Sequence, residues 1–179
     1  CISRDLRWGR VNETFGEDPH LLSVLGEAMV RGYQGDGLTD PEAVLACAKH
    51  FALNSMENAR FSVDVTIGEA DLQETFLPHF KRVIDEGAFA VMSSYNSVNG
   101  TWAGQNADLL TKTLRDTWHF EGFVITDFIW GMRDGGKALV AGLDVEAPMR
   151  QQRGERLQAD LDSGKCTWAE VERAGLRIL

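Results

Sequence analysis

The chain has 179 residues, 44% of them hydrophobic and 25% charged, with a formal net charge of −9. That length holds one well-buried domain, and the composition is that of an ordinary soluble globular protein. The acidic balance would repel a phosphate backbone, which argues against nucleic acid as a partner, and no apolar run nears the roughly 18 residues of a membrane span.

In chain order, Cys1–Asp18 is polar, contains Gly9 and Gly16, and is predicted to be a loop. It does not resemble a signal peptide and no Met opens it, so the natural start is expected upstream. Pro19 suits a first helical turn behind Asp18 as N-cap, and the helix is predicted to reach about Gln34 with Leu22, Leu25, Met29 and Tyr33 on one face. Gly35-Asp36-Gly37 would stop it. A first strand is predicted over Val44–His50, then a long polar loop over Ala52–Thr66, a length that points to function. Glu69–Glu86 reads as a single amphipathic helix with Leu72, Phe76, Phe80, Val83 and Ile84 inward and Gly87 as its stop. Phe89–Ser94 is the second strand, followed by an Asn99-Gly100 turn and a helix over Ala107–Trp118 capped by Asn106. Phe123–Thr126 is the third strand. Lys137–Gly142 closes a further helix, Leu143–Glu146 is a short fourth strand ended by Pro148, and helices follow over Arg150–Asp162 and Trp168–Leu179.

Regular alternation of strand and helix predicts an α/β fold with parallel strands and crossover helices. Four strands are too few for a closed eight-stranded barrel, so the expectation is a small open sheet or part of a TIM-type (β/α) barrel. Three apolar runs, VLACAKHF, AFAVMSSYN and GFVITDF, each end in polar residues, where such folds carry their sites. The cysteines, Cys1, Cys47 and Cys166, are far apart and form no CxxC, so neither a zinc site nor a disulfide framework is expected, and Cys47 is taken as a small core residue. No cofactor is expected either. Asn-x-Thr triplets at Asn12 and Asn99 do not decide the compartment, cytoplasmic or secreted.

Asp127 directly follows an apolar strand, and its carboxylate must face a cleft or be buried at high cost. Position alone leaves helix N-cap and catalyst both open. Lys49-His50 ends the first strand, where both side chains can turn toward a pocket and hold the hydroxyls of a polar ligand, or serve as a snorkelling Lys and a structural His. Arg10 and Arg60 are loop arginines whose planar forks suit hydroxyl pairs or carboxylates, though either alone is also ordinary surface charge. Glu13, Glu17 and Asp18 are expected to cap the helix and pair with these arginines. Tyr95 could offer its hydroxyl to a ligand or to Asp127. GxGxxG, Walker A, HExxH and GxSxG patterns are all absent.

Taken together and in order, RWGRVNETFGEDP, CAKHFALN, MSSYNSVNG, GFVITDF and AGLDVEAP resemble the catalytic barrel of glycoside hydrolase family 3 over Arg4–Leu179. That resemblance implies a retaining, exo-acting β-glycosidase with a carbohydrate substrate. The family's strand-end aspartate in Gly-Phe-Val-x-Ser/Thr-Asp, its nucleophile, corresponds to Asp127, and Arg10, Lys49, His50, Arg60 and Tyr95 correspond to positions around the terminal sugar. The residue after the nucleophile is often Trp in the family and is Phe128 here, which keeps a stacking face for the leaving group but loses the indole N–H. Ala-Leu-Asn after Lys49-His50-Phe51, in place of a Pro-Gly loop, favours the β-glucosidase-like branch over the N-acetylglucosaminidase branch. The resemblance also implies that the barrel's earlier strands and a downstream α/β domain bearing the general acid/base lie outside these residues. Two other readings stay open: a non-catalytic carbohydrate-binding or structural α/β domain, and an aldolase-type barrel with Lys49 as Schiff-base former.

Overall fold

A computed structural model describes residues 1–35, 39 and 41–179. After a short 3-10 turn over Val11–Glu13, helix α1 spans Pro19–Gln34. It begins as its sequence dictates, with Pro19 in the first turn and the Asp18 carboxylate accepting from His20 N at 2.8 Å. Gly35, at φ 59°, terminates it, while Asp36 and Gly37 lie outside the described residues. The predicted apolar face is only partly buried. Leu22 and Val30 are inside, but Leu25, Met29 and Tyr33 are exposed. The helix packs against Val83 through Gly26, where a Cβ would stand 2.6 Å from Val83 Cγ1. Gln34 ties it to the sheet, accepting from Ala46 N and donating to Gly87 O.

Strand β1 is Cys47–Phe51, three residues later in its start than predicted, because Val44 and Leu45 lead in exposed along an outer strand. Cys47 is likewise exposed, not a core residue. β2 (Asp64–Val65) interrupts the long loop. The single helix expected over Glu69–Glu86 is instead α2 (Glu69–Asp71), a wide i→i+5 turn over Leu72–Phe76 and α3 (Pro78–Asp85). Pro78 is the cause: it lacks an N–H and pushes Leu77 out of regular helix, so Leu77 N reaches back to Leu72 O at 3.0 Å. Of the residues expected inward, Leu72, Phe80, Val83 and Ile84 are buried and Phe76 is partly buried, and Leu77 and His79 join them inside. Gly87, at φ 105°, ends α3 as predicted.

β3 is Ala90–Ser93, and β4 (Ser97–Val98) and β5 (Thr101–Trp102) form a hairpin. Asn99 and Gly100 both take positive φ at its tip, as a primed turn requires. The helix over Asp108–Thr117 is also wide-wound, with Thr113 and Thr117 hydroxyls donating to the carbonyls of Asp108 and Lys112 at 2.8 Å each. Asn106 Oδ1 accepts from Leu109 N at 3.2 Å, the capping role expected. β6 is Phe123–Ile125 and α4 is Gly135–Ala141. The predicted fourth strand is reduced to one parallel bridge, Val145 to Ile125. Here Asp144 turns inward to take Arg115, Arg177 and Val124 N, which spends its side chain on the interior rather than on strand alternation. α5 (Arg156–Asp162) starts six residues later than predicted, since the chain before it wraps the Glu146 carboxylate, which accepts from Gln152 N and Arg153 N. α6 (Trp168–Leu176) opens with a Thr167–Glu170 capping box.

The sheet that matters is β1-β3-β6, all parallel. A smaller sheet, β2-β4-β5, sits beyond its ends. Phe51, Leu77, Val91, Leu110, Leu114 and Val124 fill the core, with the Phe51 ring edge-on to Phe80 at 5.1 Å and to Trp118 at 5.9 Å. Among the described residues, no helix is long and apolar enough to cross a membrane.

Candidate active site

Register carries the site. Ala48 pairs with Val91 and Val91 with Val124, so His50, Tyr95 and Asp127 all emerge beyond one line across three parallel strands. A register irregularity between Lys49 and Phe51 re-aims the end of β1. His50 consequently goes inward, 5% exposed, while Lys49 stays half-exposed.

Asp127 is 6% exposed. Its Oδ1 accepts from Phe128 N at 2.8 Å, and Oδ2 has no hydrogen bond, its near neighbour being His50 Nε2 at 3.4 Å. The helix-cap alternative fails here. A turn follows Asp127, and the next helix, α4, is capped by Asp134, whose carboxylate accepts from Lys137 N at 3.0 Å. That turn folds back tightly: a Cβ on Gly131 would lie 2.3 Å from Asp127 O, so only glycine fits.

Arg10 and Arg60 flank the carboxylate. Arg10 bonds Glu13 twice, at 2.8 and 2.7 Å, and directs Nη1 to His50 Nε2 at 3.3 Å. A guanidinium only donates, so Nε2 accepts and the imidazole proton sits on Nδ1. Arg10 therefore takes the Nε2 lone pair, and Asp127 Oδ2, 3.4 Å from Nε2, is left as the acceptor that a ligand hydroxyl can satisfy. Arg60 bonds Glu57 and lies over two rings, Phe61 at 4.7 Å and Tyr95 at 5.0 Å from their centroids. The Tyr95 hydroxyl donates to Phe128 O at 2.8 Å, holding the turn after Asp127. Lys49 Nζ approaches Glu13 Oε2 at 3.5 Å. Phe128, next in the chain after Asp127, is 49% exposed.

Electrostatics follow burial. Desolvation pushes the Asp127 carboxyl above its ordinary range, against the Phe128 N–H, the Tyr95 hydroxyl and the charges of Arg10 and Arg60. Burial, then Arg10 and Lys49, pushes His50 down to about 3, so it is neutral at physiological pH. Burial and the Asp127 charge push Tyr95 up to about 12, and the Arg10 bond holds Glu13 near 2. The site thus sets neutral and cationic donors around one buried carboxylate, suited to a polyhydroxylated ligand.

All seven residues singled out in the sequence fall in this connected cluster. Glu57 and Gly131 were missed. The Glu57-x-x-Arg60 spacing was the available signal for the first, and nothing marked the second. Glu13 was expected to pair with the arginines and does so with Arg10, whereas Glu17 makes no such bond. Lys49 is half-exposed and paired with the Glu13 carboxylate, a setting that does not favour the neutral amine a Schiff-base lysine needs, which argues against the aldolase alternative. Among the described residues no group of three His, Cys, Asp or Glu could hold a metal ion. A cavity of about 680 Å³ lies between α1, β1 and α3, lined mainly by Leu22, Met29, Val30, Tyr33, Val44 and Val83; it reaches Glu13 and Lys49 but not Asp127 or His50.

In fold, the chain is an α/β protein with parallel strands, part of a TIM-type barrel, whose strand ends gather a carboxylate among cations. The family profile described as "Glycosyl hydrolase family 3 N terminal domain" matches residues 1–179, and the chain belongs to that family. A "Beta-glucosidase" of Rhizobium radiobacter is 38% identical over 96% of this chain, which spans 20% of that protein. "Thermostable beta-glucosidase B" of Acetivibrio thermocellus is 36% identical over 99% of the chain, which spans 23% of it. Among solved structures, beta-glucosidase 3B from Thermotoga neapolitana in complex with alpha-D-glucose superposes with a TM-score of 0.91 at 32% identity, over 99% of this chain and 25% of that one.

Proposed function

We propose that residues 1–179 form part of the catalytic barrel of a retaining, exo-acting β-glycosidase, most closely β-glucosidase-like, with Asp127 as nucleophile. The observation that carries this is Asp127 itself, a buried strand-end carboxylate with one oxygen fixed by a backbone N–H and the other unpartnered. In the first half-reaction Oδ2 attacks the anomeric carbon and the bond to the leaving-group oxygen breaks, giving a glycosyl ester. In the second, water attacks that carbon and frees the carboxylate. Protonation of the leaving oxygen and deprotonation of the water fall to a group outside these residues. The length of the relatives supports this: the chain spans only 20–25% of each. Arg10, Arg60 and Lys49 would donate to sugar hydroxyls, His50 would line the sugar site beside Asp127, and Phe128 would stack on the leaving group. Donors already fixed in place need no reorganisation as charge develops on the ring.

The rival reading, a carbohydrate-binding domain that keeps the pocket without chemistry, is separated by one experiment. A 2-deoxy-2-fluoro β-glucoside with an activated leaving group is incubated with the full-length enzyme, and the digested protein is read by mass spectrometry. A fluoroglycosyl adduct on the peptide containing Asp127 is the expected result. An unlabelled protein, or an adduct on a different residue, removes Asp127 from the role.

A further inference from the structure

Glu57 lies in the loop between β1 and β2, with a side chain 22% exposed. Both of its oxygens accept from Arg60 Nη1, at 2.7 and 3.0 Å, and Oε1 also stands 3.8 Å from Arg10 Nη1. Its stem lies along the first loop, where a Cβ on Gly9 would meet Glu57 Cβ at 3.7 Å. One carboxylate therefore bridges the two arginines that flank Asp127, and ties the loop before α1 to the loop after β1.

Each arginine needs such a partner for a different reason. Arg60 lies over the Phe61 and Tyr95 rings, which touch each other edge-on, and ring contact alone lets a guanidinium turn in its own plane. Two oxygens on Nη1 remove that freedom. Arg10 already has Glu13 on its Nε and Nη2, which leaves Nη1 to be shared between His50 and the Glu57 side. Two guanidinium charges converging on one ligand also repel each other, and a carboxylate between them offsets that repulsion.

We propose that Glu57 is a positioning residue that fixes Arg60, and with it Arg10, at the spacing needed to grip the substrate's hydroxyls. The idea rests on the glycosidase reading above, and it acts on binding rather than on the covalent step. These contacts exist before the bond breaks, so losing them weakens ground state and transition state alike and raises KM with little change in kcat.

The test uses the full-length enzyme, an aryl β-glucoside, and the variants Glu57→Gln, Glu57→Asp, Arg60→Lys and Glu57→Gln/Arg60→Lys. Glu57→Gln should raise KM by about tenfold with kcat changed by less than about threefold, and Glu57→Asp, which keeps the charge one methylene short, should fall between it and the wild type. In the Arg60→Lys background, Glu57→Gln should add less than about twofold, because the residue it acts through is already altered. A ligand-free arm reads Arg60 directly: phenylglyoxal modification of the Arg60 peptide, followed by mass spectrometry, should be several-fold faster in Glu57→Gln than in the wild type. Equal modification rates overturn the proposal whatever the kinetics. Unchanged KM, or effects that simply multiply in the double variant, overturn its link to binding. A wild type that modifies as expected but hydrolyses no glycoside would sink the glycosidase reading and leave the positioning of Arg60 standing.

Discussion

Replacing Asp127 with Asn separates chemistry from structure. The amide oxygen can keep the 2.8 Å bond from Phe128 N, and the NH₂ falls where Oδ2 was, facing the His50 Nε2 lone pair 3.4 Å away. A buried acceptor without a partner becomes a donor next to an acceptor, so the structural cost should be about 1 kcal/mol or less. The chemical cost is of another size. A neutral amide cannot form the glycosyl ester, and the barrier should rise by about 5 kcal/mol or more, roughly four powers of ten in turnover at 1.36 kcal/mol per decade. The assay is kcat/KM for an aryl β-glucoside in the full-length enzyme, with thermal denaturation to confirm that the variant folds. Azide supplies a second readout: attacking the face that Asp127 vacates, it should yield an α-glycosyl azide and restore part of the rate. In the wild type the acid limb of kcat/KM should lie above the ordinary carboxylate range, since burial raises the Asp127 carboxyl and only its ionised form attacks. An Asp127→Asn enzyme with near-normal turnover would refute the nucleophile assignment and with it the mechanism.

Asp144 should prove a structural carboxylate: its side chain is 1% exposed between Arg115 and Arg177, and Asp144→Asn should cost about 3–5 kcal/mol, read as a lowered thermal midpoint, by leaving buried charge uncompensated. A midpoint shift of a degree or less would contradict this. His79 is buried with neither ring nitrogen bonded, and burial pushes it down to about 3 from an ordinary 6.5, as it does His50. Between those values the unfolded chain binds protons that the folded rings refuse, so stability is full above about pH 6.5 and falls toward pH 3. His79→Leu should flatten that dependence between pH 7 and 5, and an unchanged slope of thermal midpoint against pH would count against it. Expressed alone, residues 1–179 should self-associate through the apolar surface that Leu25, Met29, Tyr33, Val44 and Leu45 expose beside the outer strand β1. A sharp, reversible monomeric transition at all concentrations in sedimentation and calorimetry would rule that out.

The local order of this protein was legible because it is set by local rules. Asp18-Pro19 starts α1, Gly87 ends α3, Asn99-Gly100 makes the hairpin, and three apolar runs make three parallel strands, each decision taken within a few residues of chain. The strand-end polar residues were legible for the same reason, since a carboxylate after an apolar strand has few places to go. Pro78 is a local signal that the apolar period conceals: the spacing runs straight through it, while its missing N–H interrupts the helix. What lay beyond sequence was set by distant partners. Cys47 and Val44 look like core residues, and within residues 1–179 they are exposed because no described strand lies on that side of β1, while the fourth strand gives way because Asp144 is claimed by Arg115 and Arg177. Glu57 looks like surface charge until folding sets it against Arg60 and Arg10. Asp127 could be read as cap or catalyst from its position, and only the tertiary structure, by folding a turn and not a helix behind it and closing His50, Arg10, Arg60 and Tyr95 around it, removed the cap and left one carboxylate oxygen without a hydrogen bond. Residue type and spacing are written along the chain, whereas the company a side chain keeps across long sequence separations depends on how the whole core packs.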